Sequence, residues 1–163
     1  VQEIMAVALD SGGGVSAPVM ISNSTIGSRW PAIAWSPSGF GIVWDGIDPY
    51  ISVFDPISNT ATRPLPVSLD ADLQTWPTIA SDGYYFAVAY DDSLDRSVNV
   101  AAVDLSGSTV IVTTEVSTSG SRPPARPSIA WANGEYGVVW GDYFSSSSYI
   151  STALFHASVG GCP

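Results

Sequence analysis

Acidic, basic and indole side chains recur in this chain at the ends of hydrophobic runs, where they could bind a cation, a sugar or another protein. Acidic segments follow three such runs, and they read "WDGID", "YDDSLDR" and "WGDYF". Segments with arginine, aspartate or tryptophan precede the same hydrophobic units, and they read "STIGSRW", "DADLQTW" and "GSRPPAR". The chemistry open to these groups depends on which of them meet in space.

The "YDDSLDR" segment brings three carboxylates close together along the chain, at Asp91, Asp92 and Asp95. A calcium ion takes several oxygen ligands from a flexible loop, so these residues are a candidate calcium site. The segment lacks the alternating aspartates and the late glutamate of a calcium-binding loop. An acidic turn paired with Arg96 or another arginine is therefore the competing interpretation. No other cofactor is predicted.

A second candidate site combines ring faces with hydrogen-bonding groups. Its members are predicted to bind a ligand at one rim of the protein: Arg29, Trp30, Asp45, Gln74, Trp76 and Asp142. The indole rings could stack on a carbohydrate while the carboxylates and the amide hydrogen-bond its hydroxyls. Aromatic residues and arginine are also enriched at the centres of protein interfaces, so a protein partner fits the same residues.

The residue types point to no catalytic mechanism. His156 is the single histidine, and spacing ties it to no serine that it could activate. A carboxylate pair for cleaving glycosidic bonds is defined by its separation in space, which a sequence does not give. The lone cysteine, Cys162, can form no disulfide within the chain. We therefore predict a non-enzyme and assign no catalytic residue.

The elements that must position these residues are repeated. The stretch "WPAIAWSPSGFGIVWD" begins at Trp30, "WPTIASDGYYFAVAY" at Trp76 and "RPSIAWANGEYGVVW" at Arg126. Aligning their prolines gives periods of 46 and 50 residues, which is the range of propeller blades. Each period holds four short runs rich in valine, isoleucine and aromatic residues, bounded by turn residues, which predicts four antiparallel strands.

We therefore predict an all-β fold, a β-propeller with about three to three and a half four-stranded blades. The unbroken hydrophobicity of the first two strands indicates that both faces are covered by neighbouring blades. A recurring glycine or alanine would let backbones approach closely. Four tryptophans are expected to fill the space between blades: Trp35, Trp44, Trp131 and Trp140. The start of the first strand and the end of the second share one edge of a blade, so the candidate ligand-binding residues should converge there.

The predicted units are the last two strands of a split blade at 1–29, whole blades at 30–75 and 76–125, and a partial blade at 126–163. Propellers usually close with about four to eight blades. We therefore expect another chain, a second copy among the candidates, or further sequence to complete the ring.

The repeat resembles that of secreted bacterial β-propeller proteins, in the pattern P-x-I-A-W, then G-V-V-W, then I-x-x-A-x-x-D. "RPSIAWANGEYGVVW" carries it most fully. The resemblance implies a surface or extracellular scaffold without a shared activity. The Asp-box turn of sialidase-type propellers, S-x-D-x-G-x-x-W, is not matched by "SPSGFGIVW", so sialidase catalysis is not carried over.

Charge and hydropathy exclude some partners. The chain has five arginines, no lysine and fifteen acidic residues, for a net charge of −10, which disfavours nucleic acid. No apolar run approaches the roughly 18 residues that a membrane helix needs. The leading prediction is an extracellular or cell-surface module that binds a protein partner or itself without catalysis. The alternatives are a carbohydrate-binding lectin and a fragment of a glycan-cleaving propeller enzyme.

Overall fold

The computed structural model describes residues 2–22, 27–68, 74–118, 125–144 and 147–155. These residues form strands and turns and contain no helix, so they include no helix able to cross a bilayer. His156 and Cys162 lie outside the described residues. The strands are β1 (Met5–Ala6), β2 (Val19–Met20), β3 (Arg29–Ser36), β4 (Gly39–Asp45), β5 (Pro49–Asp55), β6 (Thr60–Ala61), β7 (Leu65–Pro66), β8 (Gln74–Ser81), β9 (Tyr85–Asp92), β10 (Ser97–Asp104), β11 (Val110–Thr118), β12 (Ala125–Ala132), β13 (Glu135–Phe144) and β14 (Ser147–Phe155).

Antiparallel pairing divides these strands into four sheets. The first blade is β3-β4-β5, with a fourth strand split into β6 and β7, which both pair with β5. The second blade is β8-β9-β10-β11, and the third blade is β12-β13-β14. An N-terminal strand pair, β1-β2, forms the remaining sheet. Strand β8 contacts both β3 and β12, so the first strands of successive blades are neighbours. The predicted all-β propeller of four-stranded blades is confirmed, as an open arc.

Apolar layers between the blades form the core. One layer joins the first and second blades and includes Val43, Ile79 and Phe86. Another joins the second and third blades and includes Ala89 and Val138. The predicted burial of both faces therefore holds for the second blade, and its alternating residues serve two different neighbours.

The recurring small residue is required by a ring from the next blade. A Cβ atom added to Gly41 would lie 2.5 Å from the Phe86 ring, which is fully buried. The next pair of blades repeats the arrangement, with Ala87 in one core cluster with the buried Tyr136 ring. Packing an aromatic residue onto a small one is therefore the repeated contact between blades.

The tryptophan predictions divide into two outcomes. Trp44 and Trp140 are buried between blades, as expected. Trp35 is 65% exposed, so the prediction that it fills an interior layer is wrong for this chain. It lies on the face of β3 that looks towards the N-terminal strand pair, and two strands are too few to cover that face. The prediction is also wrong for Trp131, which is 37% exposed and rests against Tyr136, with ring centroids 4.6 Å apart.

An aspartate closes the outer hairpin of the N-terminal strand pair and of the first and second blades. Oδ1 of Asp10 accepts hydrogen bonds from the backbone N–H groups of Gly12 and Gly14. Oδ1 of Asp104 accepts them from Ser108 and Thr109, and Oδ1 of Asp55 from Ile57. Partial burial acts to raise the pKa of Asp104, but hydrogen bonds from the Ser106 hydroxyl and from Thr109 and Ser108 outweigh it and lower the pKa. The equivalent loops identify β1 and β2 as the third and fourth strands of a blade.

The two glycines at the repeated small position provide a matched test of the interblade contact. Gly41→Ala should lower the free energy of unfolding by about 1–3 kcal/mol, because its methyl group meets the Phe86 ring. Gly137→Ala should be neutral or slightly stabilising, because nothing lies within 4 Å of its added Cβ. Chemical denaturation of both variants measures the difference. Equal losses of stability would contradict this account of the repeat.

Candidate functional site

A left-handed backbone residue interrupts the first strand of every blade at the same repeat position. Trp30, Trp76 and Arg126 have φ angles of 49°, 54° and 52°, and each precedes a proline. The strand register shifts at each site, which marks a bulge. This conformation costs on the order of 1–3 kcal/mol for a residue other than glycine. Three repetitions of the same strained geometry show that the fold imposes it, and strain of this kind clusters at functional sites.

The bulges direct three large side chains from three blades into one stack. The rings of Trp30 and Trp76 lie 3.9 Å apart between centroids and are inclined by 25°. The guanidinium of Arg126 lies 4.3 Å from the Trp76 ring centroid, and that of Arg29 lies 4.7 Å from the Trp30 ring centroid. We call these four residues the stacked column. Trp30 is 43% exposed, and both arginines are exposed, so the column presents ring and cationic surface to solvent.

Asp45 lies almost fully covered beside this column. It is directly opposite Arg29 in the β3-β4 ladder and is 1% exposed. Neither carboxylate oxygen completes a hydrogen bond of ordinary geometry among the described residues. Burial raises the pKa of Asp45 to about 6, although the Arg29 charge and the Trp76 backbone N–H both favour the ionised form. The carboxyl group therefore titrates near neutral pH.

Asp91 occupies the equivalent position in the second blade. It is opposite Thr75 in the β8-β9 ladder, and the Thr75 hydroxyl donates a hydrogen bond of 2.5 Å to its carboxylate. Burial raises the pKa of Asp91 to about 6, and the charge of Asp45 adds to the effect, while the bonds from Thr75 oppose it. The charge of Asp45 is therefore one contribution to the raised pKa of Asp91, after burial.

The predicted calcium ligands are not arranged as a metal site. Asp91 bonds Thr75, while Oδ1 of Asp92 accepts the backbone N–H groups of Leu94 and Asp95. Consecutive residues of a strand point to opposite faces, so Asp91 and Asp92 diverge. In the part of the chain that the structure describes, no group of three acidic, histidine or cysteine side chains could hold a metal ion. Asp92 instead closes an acidic turn through these two bonds, and the pairing of that turn with an arginine stays a prediction.

The structure brings most of the predicted ligand-binding residues to one rim. As predicted, the start of the first strand lies beside the end of the second strand in each blade. Arg29 is opposite Asp45, and Thr75 is opposite Asp91. Gln74 was expected at the surface, but it is fully buried and its Nε2 lies 3.4 Å from Oδ2 of Asp92. Asp142 follows Gly141 in β13, opposite Tyr149, and its side chain lies outside what the structure describes.

Two members of the site were missed as ligand-binding residues. Arg126 occupies the repeat position of Trp30 and Trp76, so the alignment of the three prolines already contained its signal. Asp91 was assigned to a metal, although it shares the repeat position of Asp45. A comparison of equivalent positions in the three repeat units, instead of neighbouring residues in one loop, would have predicted both residues at the rim.

The chain resembles known proteins in its fold. No protein-family model and no curated protein matches it. Solved structures match its fold, among them an exo-1,5-α-L-arabinanase from a bovine ruminal metagenomic library, with a TM-score of 0.60 and 10% identity over 93% of this chain. A GH43 endo-arabinanase from Bacillus licheniformis matches with a TM-score of 0.53 and 11% identity over 86% of this chain. An α-L-arabinofuranosidase from Clostridium thermocellum matches with a TM-score of 0.56 and 15% identity over 79%.

These likenesses establish the propeller fold. The chain spans 64%, 57% and 47% of the lengths of the three proteins, in the order given. All three are named as glycan-cleaving enzymes, which overturns the prediction of a non-enzyme. That prediction rested on the missing histidine–serine pair, and two carboxyl groups suffice for glycoside cleavage.

The buried carboxyl of Asp45 makes stability depend on pH. Its pKa is higher in the folded chain than in the unfolded chain, so the folded chain holds the proton more tightly between about pH 4 and 6. The free energy of unfolding should therefore fall as pH rises through this window. Asp45→Asn should reduce this fall by an amount on the order of 2 kcal/mol. Thermal unfolding from pH 4 to 8 measures the slope. Asp95→Asn removes the same charge from an exposed site, and an equal flattening in that variant would contradict the assignment.

Proposed function

We propose that this chain forms part of a glycan-cleaving propeller, with the sugar held at the stacked column and the bond cleaved by Asp91 and Asp45. One observation carries the proposal. Two carboxyl groups at equivalent positions of adjacent blades, both with a pKa of about 6, share one rim with a stack of aromatic rings and guanidinium groups. Glycoside cleavage uses a pair of carboxyl groups of which one must be protonated.

The stacked column supplies the features that bind a sugar. Indole faces pack against the apolar faces of pyranose and furanose rings, and the guanidinium groups of Arg29 and Arg126 can donate hydrogen bonds to hydroxyl oxygens. An open groove of about 550 Å³ borders Arg29 and Trp30 and continues to Gln2 and Glu3. A saccharide of more than one unit could extend along this groove from the column.

The electrostatics assign different roles to the two carboxyl groups. Arg29 favours the ionised form of Asp45, whereas the negative charge of Asp45 raises the pKa of Asp91. When the two carboxyl groups together hold one proton, that proton is therefore assigned to Asp91, and Asp45 is ionised. Asp91 would donate its proton to the glycosidic oxygen as the bond breaks. Asp45 would act from the other carboxylate position, either on water or on the sugar carbon.

Access to these groups requires movement at the rim. Asp45 and Asp91 are 1% and 3% exposed, so a bound glycan must displace part of the stacked column to reach them. Closing the column over buried carboxyl groups keeps water away from them and maintains the raised pKa of each. Binding and turnover should therefore respond differently to substitutions in the column and below it.

Arabinose-containing glycans are the proposed substrate class, because the named activities of the three solved structures are all directed at arabinose linkages. We further propose that the protein acts outside the cell. The lysine-free composition, rich in serine and threonine, and the polymeric nature of such substrates support this placement.

Hydrolysis of arabinan and of aryl arabinofuranosides by the purified chain tests the proposal. Asp91→Asn and Asp45→Asn should each lower kcat by at least about 100-fold, since general acid–base catalysis contributes on this scale. Trp76→Ala should instead raise KM, because it removes a stacking surface. The rate should peak near pH 6, between the two macroscopic pKa values of the pair.

Asp95→Asn is the matched control, since it removes a nearby carboxylate from the exposed turn and should keep full activity. Binding of these glycans without any turnover would contradict cleavage and favour a lectin. Turnover that survives both Asp91→Asn and Asp45→Asn would contradict the assigned pair.

A further inference from the structure

An apolar groove of about 740 Å³ lies between the first blade and the N-terminal strand pair. Its lining includes Ile33, Trp35 and Phe40 on one side and the backbone stretch from Ile4 to Leu9 on the other. Ile33 is 60% exposed there, whereas its repeat equivalents Ile79 and Ile129 are 6% and 7% exposed. The residue is isoleucine at this position in all three blades, so the difference in exposure comes from the neighbouring strands. Among the described residues, only the N-terminal strand pair lies on this side of β3.

In the second and third blades, the equivalent face, which carries Ile79 or Ile129, is covered by the preceding blade. Ala32, Ala34 and Val43 of the first blade pack against the cluster that contains Ile79 and Phe86. Ala80, Ala87 and Ala89 of the second blade pack against the cluster that contains Ile129 and Tyr136. In both cases the cover consists of small residues from the first and second strands of the preceding blade.

The N-terminal strand pair supplies only the outer part of such a cover. Ile4 and Ile21 pack on Ile42, Trp44 and Phe54. The Asp10 turn identifies β1 and β2 as third and fourth strands, and no described residue occupies the places of a first and second strand beside them. Among the described residues, β1 pairs only with β2, which leaves its other edge open along the groove.

We propose that this groove binds a β-hairpin with the pattern of the repeat's own first two strands. The small side chains of the hairpin would cover Ile33 and Trp35, and its glycine or alanine would receive the Phe40 ring as Gly41 receives Phe86. Its second strand would pair antiparallel with the open edge of β1, in the manner of strand addition. The proposal is independent of the glycan site and stands whether or not the chain is catalytic.

The geometry favours a hairpin over a second copy of the chain. In a second copy, the second strand of every blade already pairs with a third strand: β4 with β5, β9 with β10 and β13 with β14. When such a blade enters the groove, its third strand takes the place that β1 already fills. A two-stranded hairpin meets no such conflict.

The probe is a synthetic peptide with the sequence of residues 29–45. Within the chain, one face of this hairpin covers Phe86, and the same face of the peptide would cover the groove. Calorimetric titration should show saturable binding to the chain. Amide hydrogen exchange should slow at residues 4–9, where new backbone hydrogen bonds form. In the peptide, Gly41→Leu should weaken binding at least 10-fold, while Ile33→Ser, on the opposite face of the hairpin, should change it less than 3-fold.

The protein side has its own matched pair. Ile33→Asp in the chain should abolish peptide binding, while Leu94→Asp, on an exposed turn of the second blade, should leave it unchanged. Circular dichroism confirms that both variants fold. Absence of binding to the folded chain, or equal binding of the Gly41→Leu and Ile33→Ser peptides, would overturn the proposal. So would a concentration-dependent dimer in sedimentation that Ile33→Asp dissolves while the peptide fails to bind, since the groove would then belong to a second copy.

Discussion

The contact between an aromatic ring on one blade and a small residue on the blade before it determines this structure. A sheet whose two faces are both apolar is unstable in water alone, and each blade here buries its faces only against its neighbours. Phe86 against Gly41 sets how closely the first and second blades approach. The core is therefore a series of thin layers, and its stability depends on repeated contacts of one kind.

The candidate site is a consequence of that arrangement. Layered blades bring the first strands β3, β8 and β12 side by side, and the same bulge in each aims one residue at the same region. Side chains separated by about fifty residues in sequence thereby form a single stack. Asp45 and Asp91 are buried at the same rim, and this desolvation raises the pKa of both carboxyl groups.

The repeat was enough to predict the propeller, the shared edge of the strands and the small-residue position, because each follows from a periodic pattern. It did not predict the exposure of Trp35, since the pattern describes a blade with two neighbours and Trp35 faces an incomplete one. The buried position of Gln74 was missed for a related reason. Loop residues were assumed to face solvent, but Gln74 is already part of β8 and packs beside Asp92. Charge coupling between Asp45 and Asp91 depends on distances between blades, which no single-strand pattern encodes.

The pair of residues at the rim of each blade differs from one blade to the next, with Arg29 opposite Asp45, Thr75 opposite Asp91, and Ala125 opposite Gly141. The partners in each pair come from adjacent strands of one sheet, and none of these residues belongs to the apolar layers. A near-symmetric scaffold can therefore carry an asymmetric centre. Duplicated units are free to diverge at these two positions, one unit at a time, while the packing that holds the arc together remains unchanged.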